Sequence, residues 1–445
     1  MQEIKSNIFI KLGIIGVLIL ILLMPTSFIQ KLIDERQDSR IEAVREVSLK
    51  QGGSQTITGP YISIPFTRTV AGKKDGEPLR LQKTKEDFLH LMPESLEIQS
   101  EVIPEKKYRG LFEVVTYRSI SRLKGHFKTE QIEDFIVKNT ILEREDAHVN
   151  IGISDLKGMQ KQIDLNWQGE TVSFEPGLSN QNINLTGISA PIKFEEDPNG
   201  DFSFDIEIEL KGSNELLFTP LGKSTQAMMN SSWPDPKLTG SIVSDRVETS
   251  EDGFEANWNV LNVNRNFPQA WKGRSQSVGE SAFGAEFIIA VDNYTRSTRV
   301  AKYSILFIAL TFITFFFVEI LRKVFIHPIQ YLLVGSALVI FYTLLLAFSE
   351  HVTFNVAYLT SAGLTIGMIS LYTGAILKSR TVAFLLGALL TLLYAFIFVI
   401  IQMESFSLLI GSLAIFLILA IIMFFTRNID WYELKLGSEK VIEAK

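Results

Sequence analysis

Residues 303–425 contain only seven charged side chains in 123 positions, and this stretch constrains the fold more than any other feature of the chain. In soluble domains about one residue in four is charged. A helix of about 20 apolar residues crosses the ~30 Å hydrocarbon layer of a membrane. The stretch therefore predicts a bundle of membrane-spanning helices.

Charges and turns divide this stretch into five predicted spans. Each is about 18–24 residues long, which is the length that crosses a bilayer. The spans are Tyr303–Leu321, Tyr331–Phe348, Phe354–Leu377, Thr381–Ile401 and Ser405–Phe425. A five-helix bundle is thus predicted over residues 303–425, followed by a tail of residues 426–445.

Residues 1–29 predict a further span, because the run from Ile8 to Met24 is apolar except for Lys11. Lys11 lies about one turn from the start of the run, where its side chain can extend to the lipid headgroups. A cleaved signal peptide is the alternative, but residues 25–28 match the small-residue cleavage pattern poorly. We therefore predict an uncleaved anchor and six membrane helices, one N-terminal and five C-terminal.

The short loops predict the orientation of these helices. Basic residues occupy alternate loops, at Arg322, Lys323, Lys378, Arg380 and Arg427. The loops at residues 349–353 and 402–404 contain no Lys or Arg. Because basic loops remain on the cytoplasmic side, both termini are predicted to be cytoplasmic and residues 30–300 extracytoplasmic.

Residues 51–300 have the pattern of a large, mostly β domain inserted after the first helix. Residues 30–50 keep a near-helical apolar spacing and extend the anchor, and the period changes to two at Gln51-Gly52-Gly53. The clearest strand is Phe202–Leu210, in which apolar and acidic residues alternate. Only Gln131–Leu142 predicts a helix. We expect a β-sandwich or a pair of small β-domains.

Composition excludes several kinds of chemistry. The chain has no cysteine, so it contains no disulfide, zinc–cysteine site, iron–sulfur cluster or thiol nucleophile. Residues 30–302 hold 33 basic and 41 acidic side chains. An acidic domain without a basic stripe argues against nucleic acid as a partner.

No motif predicts catalysis or cofactor binding. Gly222-Lys223-Ser224 lacks the first glycine of a phosphate-binding loop, because position 217 is Leu. Asp197–Asp201 lacks the full carboxylate spacing of a calcium loop and instead predicts a hairpin turn at Asn199-Gly200. The five histidines form no pair with metal-ligand spacing. We therefore predict no catalytic residue, metal ion or cofactor.

Small residues follow one face of the predicted span Phe354–Leu377. They recur at spacings of three and four, at Thr360, Gly363, Gly367, Ser370 and Gly374. Such a face lets two helices approach closely. We predict helix packing at this stripe, and a substrate path is the alternative.

Four polar residues near span ends are the candidate functional groups of the bundle, because ionisable side chains are costly in a bilayer. They are Glu319, His327, Glu350 and His351. Glu319 lies about one turn from the cytoplasmic end, where Arg322 or Lys323 could neutralise it. Glu350 and His351 lie at the outer end and could pair with each other.

A series of short motifs extends from Gly59 to about Tyr358. In the β-rich region they include Gly59-Pro60, Phe218–Gly222 and Ser232–Pro236. In the bundle they include His327–Gly335, Ser349–His351 and Ala357-Tyr358. In their order and extent, these motifs resemble the CreD family of bacterial inner-membrane proteins.

The resemblance implies an inner-membrane protein with a large periplasmic domain. It also implies a role in cell-envelope integrity, colicin tolerance and the response to β-lactam stress under a two-component system. The family has no established enzymatic activity, so no catalytic residue can be transferred to this chain. The expected partners are the lipid bilayer and envelope proteins or cell-wall components.

Trp233, Pro234 and Asp235 form a candidate recognition loop. An exposed and rigid Trp could anchor a partner. The alternative is a buried Trp that braces the β domain.

Two classes of function follow. The first is a non-enzymatic envelope-maintenance protein that acts through its periplasmic domain. The second is a transporter or lipid-handling protein that uses the four polar groups of the bundle. A sensor is a weaker third class, because a tail of about 20 residues is too short for a domain of its own.

Overall fold

The chain divides into two compact units, residues 1–40 with 291–445 and residues 41–290. A computed structural model describes residues 8–72, 80–135, 140–193, 200–287, 293–322 and 325–402, with isolated positions between 409 and 427. The two units are described separately below.

The first unit is helical. Its helices are α1 (Ile8–Gln51), whose residues up to Arg40 belong to this unit, α2 (Asn293–Lys302), α3 (Ser304–Arg322), α4 (Pro328–Ser349), α5 (Phe354–Leu377) and α6 (Arg380–Gln402). These bounds agree closely with the predicted anchor and with four of the five predicted C-terminal spans. α1 also continues through the predicted extension, residues 30–50, and ends one residue before Gly52.

Four helices are long and apolar enough to cross a membrane in the part of the chain that the structure describes. They are α1, α4, α5 and α6, and α2 and α3 together supply a fifth if they count as one span bent by 43°. Most of the predicted span Ser405–Phe425 lies outside the described residues, as does the tail. The structure thus has several apolar helices, and the count of six stays a prediction.

The second unit is mostly β. Its described residues contain eighteen strands: β1 (Gln55–Gly72), β2 (Arg80–Leu91), β3 (Ser95–Arg109), β4 (Phe112–Lys128), β5 (Thr140–Leu142), β6 (His148–Ile153), β7 (Asp164–Trp167), β8 (Glu170–Ser173), β9 (Glu175–Pro176), β10 (Gly187–Pro191), β11 (Asp201–Ser213), β12 (Glu215–Thr219), β13 (Ser224–Ser231), β14 (Lys237–Gly240), β15 (Arg246–Ser250), β16 (Gly253–Leu261), β17 (Ala270–Lys272) and β18 (Phe283–Glu286).

These strands form two sheets. A ten-stranded sheet has the order β14-β18-β12-β1-β6-β10-β9, with β2 and β5 also paired to β1 and with β17 paired to β2. An eight-stranded sheet has the order β15-β16-β13-β3-β4-β11-β7-β8. Pairing is antiparallel except for β1 with β12 and β13 with β3. The mainly antiparallel pairing fits strands that bury one face and expose the other.

The alternation of the sequence sets which face of each strand is buried. In β11, Phe202, Phe204, Ile206 and Ile208 are buried and the residues between them are more exposed. Buried residues of both sheets belong to one hydrophobic core, in which Trp258 of β16 packs against Phe283 of β18 at 5.2 Å between ring centres. This shared core favours a single two-sheet sandwich over a pair of small domains.

The last part of α1, residues 41–51, belongs to the second unit and is held there by side chains of two strands. Arg109 donates two hydrogen bonds of 2.9 Å to the carboxylate of Glu46. Ser213 Oγ donates to Ser48 Oγ at 2.6 Å. Gly52 follows with a φ of +90°, a left-handed conformation that favours glycine and ends the helix.

Two expectations differ from the structure. The predicted helix Gln131–Leu142 is wrong, since Glu130–Phe135 forms a 3-10 helix and Thr140–Leu142 forms β5. Leu142 pairs with Phe66 of β1, so a neighbouring strand decides the conformation of this short segment. Residues 293–300, predicted within the β-rich domain 51–300, belong instead to α2 and to the helical unit. The predicted turn at Asn199-Gly200 lies partly outside the described residues.

Candidate functional site

Lys11 and Glu319 form a buried ion pair in the helical unit. Lys11 lies in the first turn of α1 and Glu319 lies near the end of α3. The Lys11 ammonium contacts the Glu319 carboxylate, and the two residues are only 7% and 0% exposed. A charge buried this deeply requires a partner of opposite charge.

The remaining polar atoms of this site are also satisfied. Lys11 Nζ donates to the carbonyl oxygen of Ile326 at 2.8 Å and lies 4.4 Å from the ring centre of Phe325. Tyr331 Oη donates to Glu319 Oε2 at 3.0 Å, and the Ile326 N–H donates to Oε1 at 3.2 Å. We call Lys11, Glu319 and Tyr331 the inner clamp, since they join α1, α3 and α4.

The structure corrects the local interpretation of both charges. Lys11 does not extend to the headgroups but is buried as the partner of Glu319, whereas the side chains of Arg322 and Lys323 lie outside the described part of the structure. The two residues are 308 positions apart in the sequence, beyond the reach of any helical spacing rule. A signal for the pair was present, because the two residues have opposite charges and each lies near the predicted cytoplasmic end of an apolar span.

Glu350 occupies a second polar cluster at the opposite end of α4. Its Oε1 lies 3.4 Å from Arg36 Nε and 3.5 Å from Tyr294 Oη. Beside it, Asn293 Nδ2 donates to the carbonyl oxygen of Ser349 at 2.8 Å. Glu350 therefore contacts Arg36 of α1, and not His351, with which the sequence would also allow it to pair.

The two histidines of the bundle have simpler surroundings. His327 is the N-cap of α4, where Nδ1 accepts a hydrogen bond of 3.3 Å from the Ile329 N–H. Gln330 Oε1 accepts from the His327 N–H at 3.0 Å, which completes a reciprocal cap. His351 is exposed in the turn that follows α4. The structure therefore does not bring the four candidate groups into one site.

The small-residue stripe of α5 is only partly in contact with a neighbour. A Cβ at Gly374 would lie 3.2 Å from Ala383 of α6, and a Cβ at Gly387 of α6 would lie 2.7 Å from Ser370 Oγ. Thr360 is exposed, and a Cβ at Gly363 or Gly367 would meet no atom of the described chain within 4 Å. Packing at those three positions stays a prediction.

The candidate recognition loop lies beside a groove of the β unit. Trp233 is partly buried and packs against the shared core, as in the bracing alternative, and Lys106 Nζ lies 5.7 Å from its ring centre. Pro234 and Asp235 are exposed. Ser231 and Ser232, which precede the Trp, line a groove of about 520 Å³.

The groove is acidic. The described residues that line it include Glu101, Glu248, Asp252 and Glu255, with no Lys or Arg among them. Glu248 is paired directly with Glu255 across β15 and β16, and Asn230 lies between Glu255 and Glu101 in the same cross-strand row. Like charges in direct opposition destabilise a strand pair. Arg246 contacts Glu248 and Asn257 Nδ2 donates to Glu255 Oε1 at 3.0 Å, which offsets part of the repulsion, and a cation in the groove would relieve more of it.

A buried histidine network in the β unit was not anticipated from the sequence. His90 of β2 is 0% exposed, with Nδ1 at 2.9 Å from Ser63 Oγ and Nε2 at 3.3 Å from Asn182 Nδ2. Asn182 Nδ2 also donates to Asp87 Oδ1 at 2.7 Å, and Asn182 Oδ1 accepts from Arg274 Nε at 3.2 Å. Because the Asn182 amide nitrogen only donates, Nε2 of His90 is an acceptor and the ring is neutral.

Burial lowers the pKa of His90 to about 4, although the charge of Asp87 acts in the opposite direction. Ser63 and Trp271 are the cross-strand neighbours of His90 on either side. The network therefore fixes strands β1, β2 and β17 to the loop that carries Asn182. A single His in a strand gives no sequence signal for such a network.

Groups of three or more potential metal ligands do not occur in the described part of the chain. The helices and the large β unit instead define a class, a membrane protein with a substantial folded β region between its first and second apolar helices.

Comparison with known proteins identifies the family within this class. The sequence model of the family described as inner membrane protein CreD matches residues 7–432. Inner membrane protein CreD of Escherichia coli (strain K12) is 30% identical over 444 residues, which cover 98% of this chain and 96% of that protein. The chain belongs to the CreD family and is a multi-pass inner membrane protein.

The similarity of this chain to a solved structure is weak. The crystal structure of an M1 zinc metallopeptidase from Deinococcus radiodurans covers 39% of this chain and 39% of its own, at 7% identity and a TM-score of 0.19. A similarity of this size carries no argument about fold or activity.

The inner clamp generates the first prediction. Lys11→Met leaves the Glu319 carboxylate buried without a counter-charge and should destabilise the protein by about 3–5 kcal/mol. The double variant Lys11→Met/Glu319→Gln should recover most of that loss, because no unpaired charge remains. Thermal unfolding of the full chain in detergent measures both.

Arg36→Met is the matched control for this experiment. It breaks the Arg36–Glu350 contact, in which the arginine side chain is 44% exposed, and should cost at most about 1 kcal/mol. If Lys11→Met and Arg36→Met lower the stability of the protein by the same small amount, the charges of the inner clamp do not contribute to its stability.

The histidine network generates the second prediction. Above pH ~6.5, His90 is neutral in both the native and the unfolded chain, and its contribution to stability is fully present. As the pH falls towards the native pKa of about 4, the unfolded chain binds a proton that the native chain does not. Stability should then fall by about 1.4 kcal/mol per pH unit, or roughly 3 kcal/mol over the window.

His90→Gln tests this assignment. Glutamine retains hydrogen-bonding capacity but does not titrate, so the variant should lose less stability than the wild type between pH 6.5 and 4. Denaturant unfolding at several pH values measures the difference. Identical pH dependence of the two proteins would show that His90 does not titrate as the structure implies.

Proposed function

We propose that this CreD-family protein maintains the integrity of the bacterial cell envelope, and that it does so through its β unit without catalysis. Colicin tolerance and the response to β-lactam stress are the expected phenotypes. Membership of the family supports the proposal. The polar sites of the two units also support it, because the site of the β unit is open whereas those of the helical unit are largely buried.

The observation that carries the proposal is the acidic groove beside Trp233. It is an open feature of about 520 Å³ lined by four acidic side chains, of which Glu248 is in contact with Arg246. Cationic groups of an envelope protein or a cell-wall component would complement it. The candidate polar groups of the helical unit are less accessible to a partner, because the side chains of Glu319 and Glu350 are only 0% and 10% exposed in their ion pairs and His327 is a helix cap.

The proposed topology places both termini in the cytoplasm and residues 30–300 in the periplasm. It is supported by the basic residues at the predicted inner ends of the apolar helices, among them Lys378 and Arg380 between α5 and α6. The loop between α4 and α5, residues 350–353, contains no Lys or Arg.

Reporter fusions test this topology. A periplasm-specific reporter at residue 200 and a cytoplasm-specific reporter after residue 445 should both be active. Activity of both positions on the same side of the membrane would contradict the six-span arrangement.

Complementation of a deletion strain distinguishes the groove from the bundle. Glu101→Lys/Glu255→Lys should remain as sensitive to detergent and β-lactam as the deletion strain, because charge reversal prevents binding of a cationic partner. A triple His327→Gln/Glu350→Gln/His351→Gln variant should restore tolerance. Survival assays with immunoblots for protein level are the measurement.

Glu170→Lys/Glu175→Lys is the control for net charge, since both residues are exposed and lie on other strands of the β unit. It should complement fully. The reverse pattern, in which the triple variant fails at normal protein level and the groove variant complements, would favour the transporter or lipid-handling alternative.

A further inference from the structure

Six buried hydroxyl groups of the helical unit have no hydrogen-bond partner among the described residues. Two belong to the partly exposed residues Thr298 and Ser370, and four belong to buried residues, Thr311 of α3, Tyr342 of α4, Ser361 of α5 and Tyr394 of α6. Their exposed fractions are 1%, 2%, 0% and 2%. Other hydroxyls of the same helices follow the usual pattern, since Thr365 and Thr373 each donate to the carbonyl oxygen four residues earlier.

The four hydroxyls lie at one level of the bundle. Thr311, Tyr342 and Ser361 are each seven residues from a helix end, at Ser304, Ser349 and Phe354, and Tyr394 is eight from Gln402. At 1.5 Å per residue this is a depth of about 10–12 Å. These helix ends face the same side because the helices alternate in direction, and Gln402 Nε2 donates to Asn355 Oδ1 at 2.9 Å.

Aromatic contacts bring these helices together at that level. The ring centre of Phe307, one turn from Thr311, lies 4.6 Å from that of Tyr394 and 6.1 Å from that of Tyr342. Tyr358, one turn from Ser361, lies 6.4 Å from Tyr394 and donates its hydroxyl to the Tyr394 carbonyl oxygen at 2.8 Å. The hydroxyls are thus grouped around one aromatic cluster rather than scattered.

A buried hydroxyl group without a hydrogen bond raises the free energy of the folded protein, and four such groups at one level raise it further. A water molecule needs two to four polar partners to remain in a protein interior. Hydroxyl groups can donate and accept, so a set of four suits water better than it suits an ion. The set contains no charged side chain.

We propose that Thr311, Tyr342, Ser361 and Tyr394 form an internal water-binding site within the membrane bundle, here called the hydroxyl layer. The inner clamp is separate from it, since Tyr331 precedes Tyr342 by eleven residues, or about 16 Å along α4. The buried α4 residues between them have no polar side chain and are Val334, Gly335, Ala337, Leu338, Val339 and Phe341. Along α4, apolar side chains therefore separate the hydroxyl layer from the inner clamp.

X-ray radiolytic labelling of the full chain in nanodiscs tests for this water directly, because ionised water oxidises the side chains beside it. Tyr342 and Tyr394 should be oxidised, with incorporation of oxygen from ¹⁸O-labelled solvent. Tyr331 is the matched buried control, since it is 1% exposed and bonded to Glu319, and it should remain unlabelled. Tyr108, which is 71% exposed, is the positive control.

Labelling of Tyr342 and Tyr394 no greater than that of Tyr331 would overturn the proposal. This result would mean that the hydroxyls are bonded to parts of the chain outside the described residues, or lie in a dry core.

The sign of a stability change gives an independent test. Removal of a hydroxyl that is bonded to water should lower the melting temperature of Tyr342→Phe and Tyr394→Phe by about 2–4 °C, because those bonds are lost. In a dry core the same substitutions remove an unsatisfied polar group and should raise the melting temperature. A raised melting temperature in both variants would contradict the water site.

Discussion

The high free energy of an unpaired polar group in an apolar environment governs the organisation of the helical unit. It restricts most charges to the ends of helices, and it requires a partner for each charge that enters the interior. Lys11 and Glu319 meet this requirement through each other, and Tyr331 and the backbone of Ile326 satisfy the remaining positions. The contact joins the first apolar helix to helices more than 300 residues later in the chain.

The same constraint acts in the β unit in a different form. Most strands bury apolar side chains on one face, and the two sheets place these faces in one core. His90 is an exception that is buried but polar, and its neighbours Ser63 and Asn182 supply the hydrogen bonds that a neutral imidazole needs. A network of this kind is stable only while every member is satisfied. The acidic groove differs, because Glu248 and Glu255 are opposed across a strand pair.

The helices and many strands could be predicted from the sequence, because apolar periodicity is a local property. The predicted spans Phe354–Leu377 and Tyr331–Phe348 match α5 and α4 closely, and the alternation of Phe202–Leu210 recurs as the burial pattern of β11. The prediction of a helix at Gln131–Leu142 was wrong, because pairing with β1 decides the conformation of the end of this short segment. Weak local signals are overridden by tertiary contacts.

The sequence by itself determined the membrane class, the positions of most apolar helices, the mainly β character of residues 51–287 and the absence of thiol chemistry. Only the tertiary structure decided which polar groups meet. It paired Glu319 with Lys11 and Glu350 with Arg36, and it placed His90 beside Asn182. The physical reason is range, because hydrophobic periodicity acts over a few residues, whereas hydrogen bonds and ion pairs depend on distances that only the assembled fold defines.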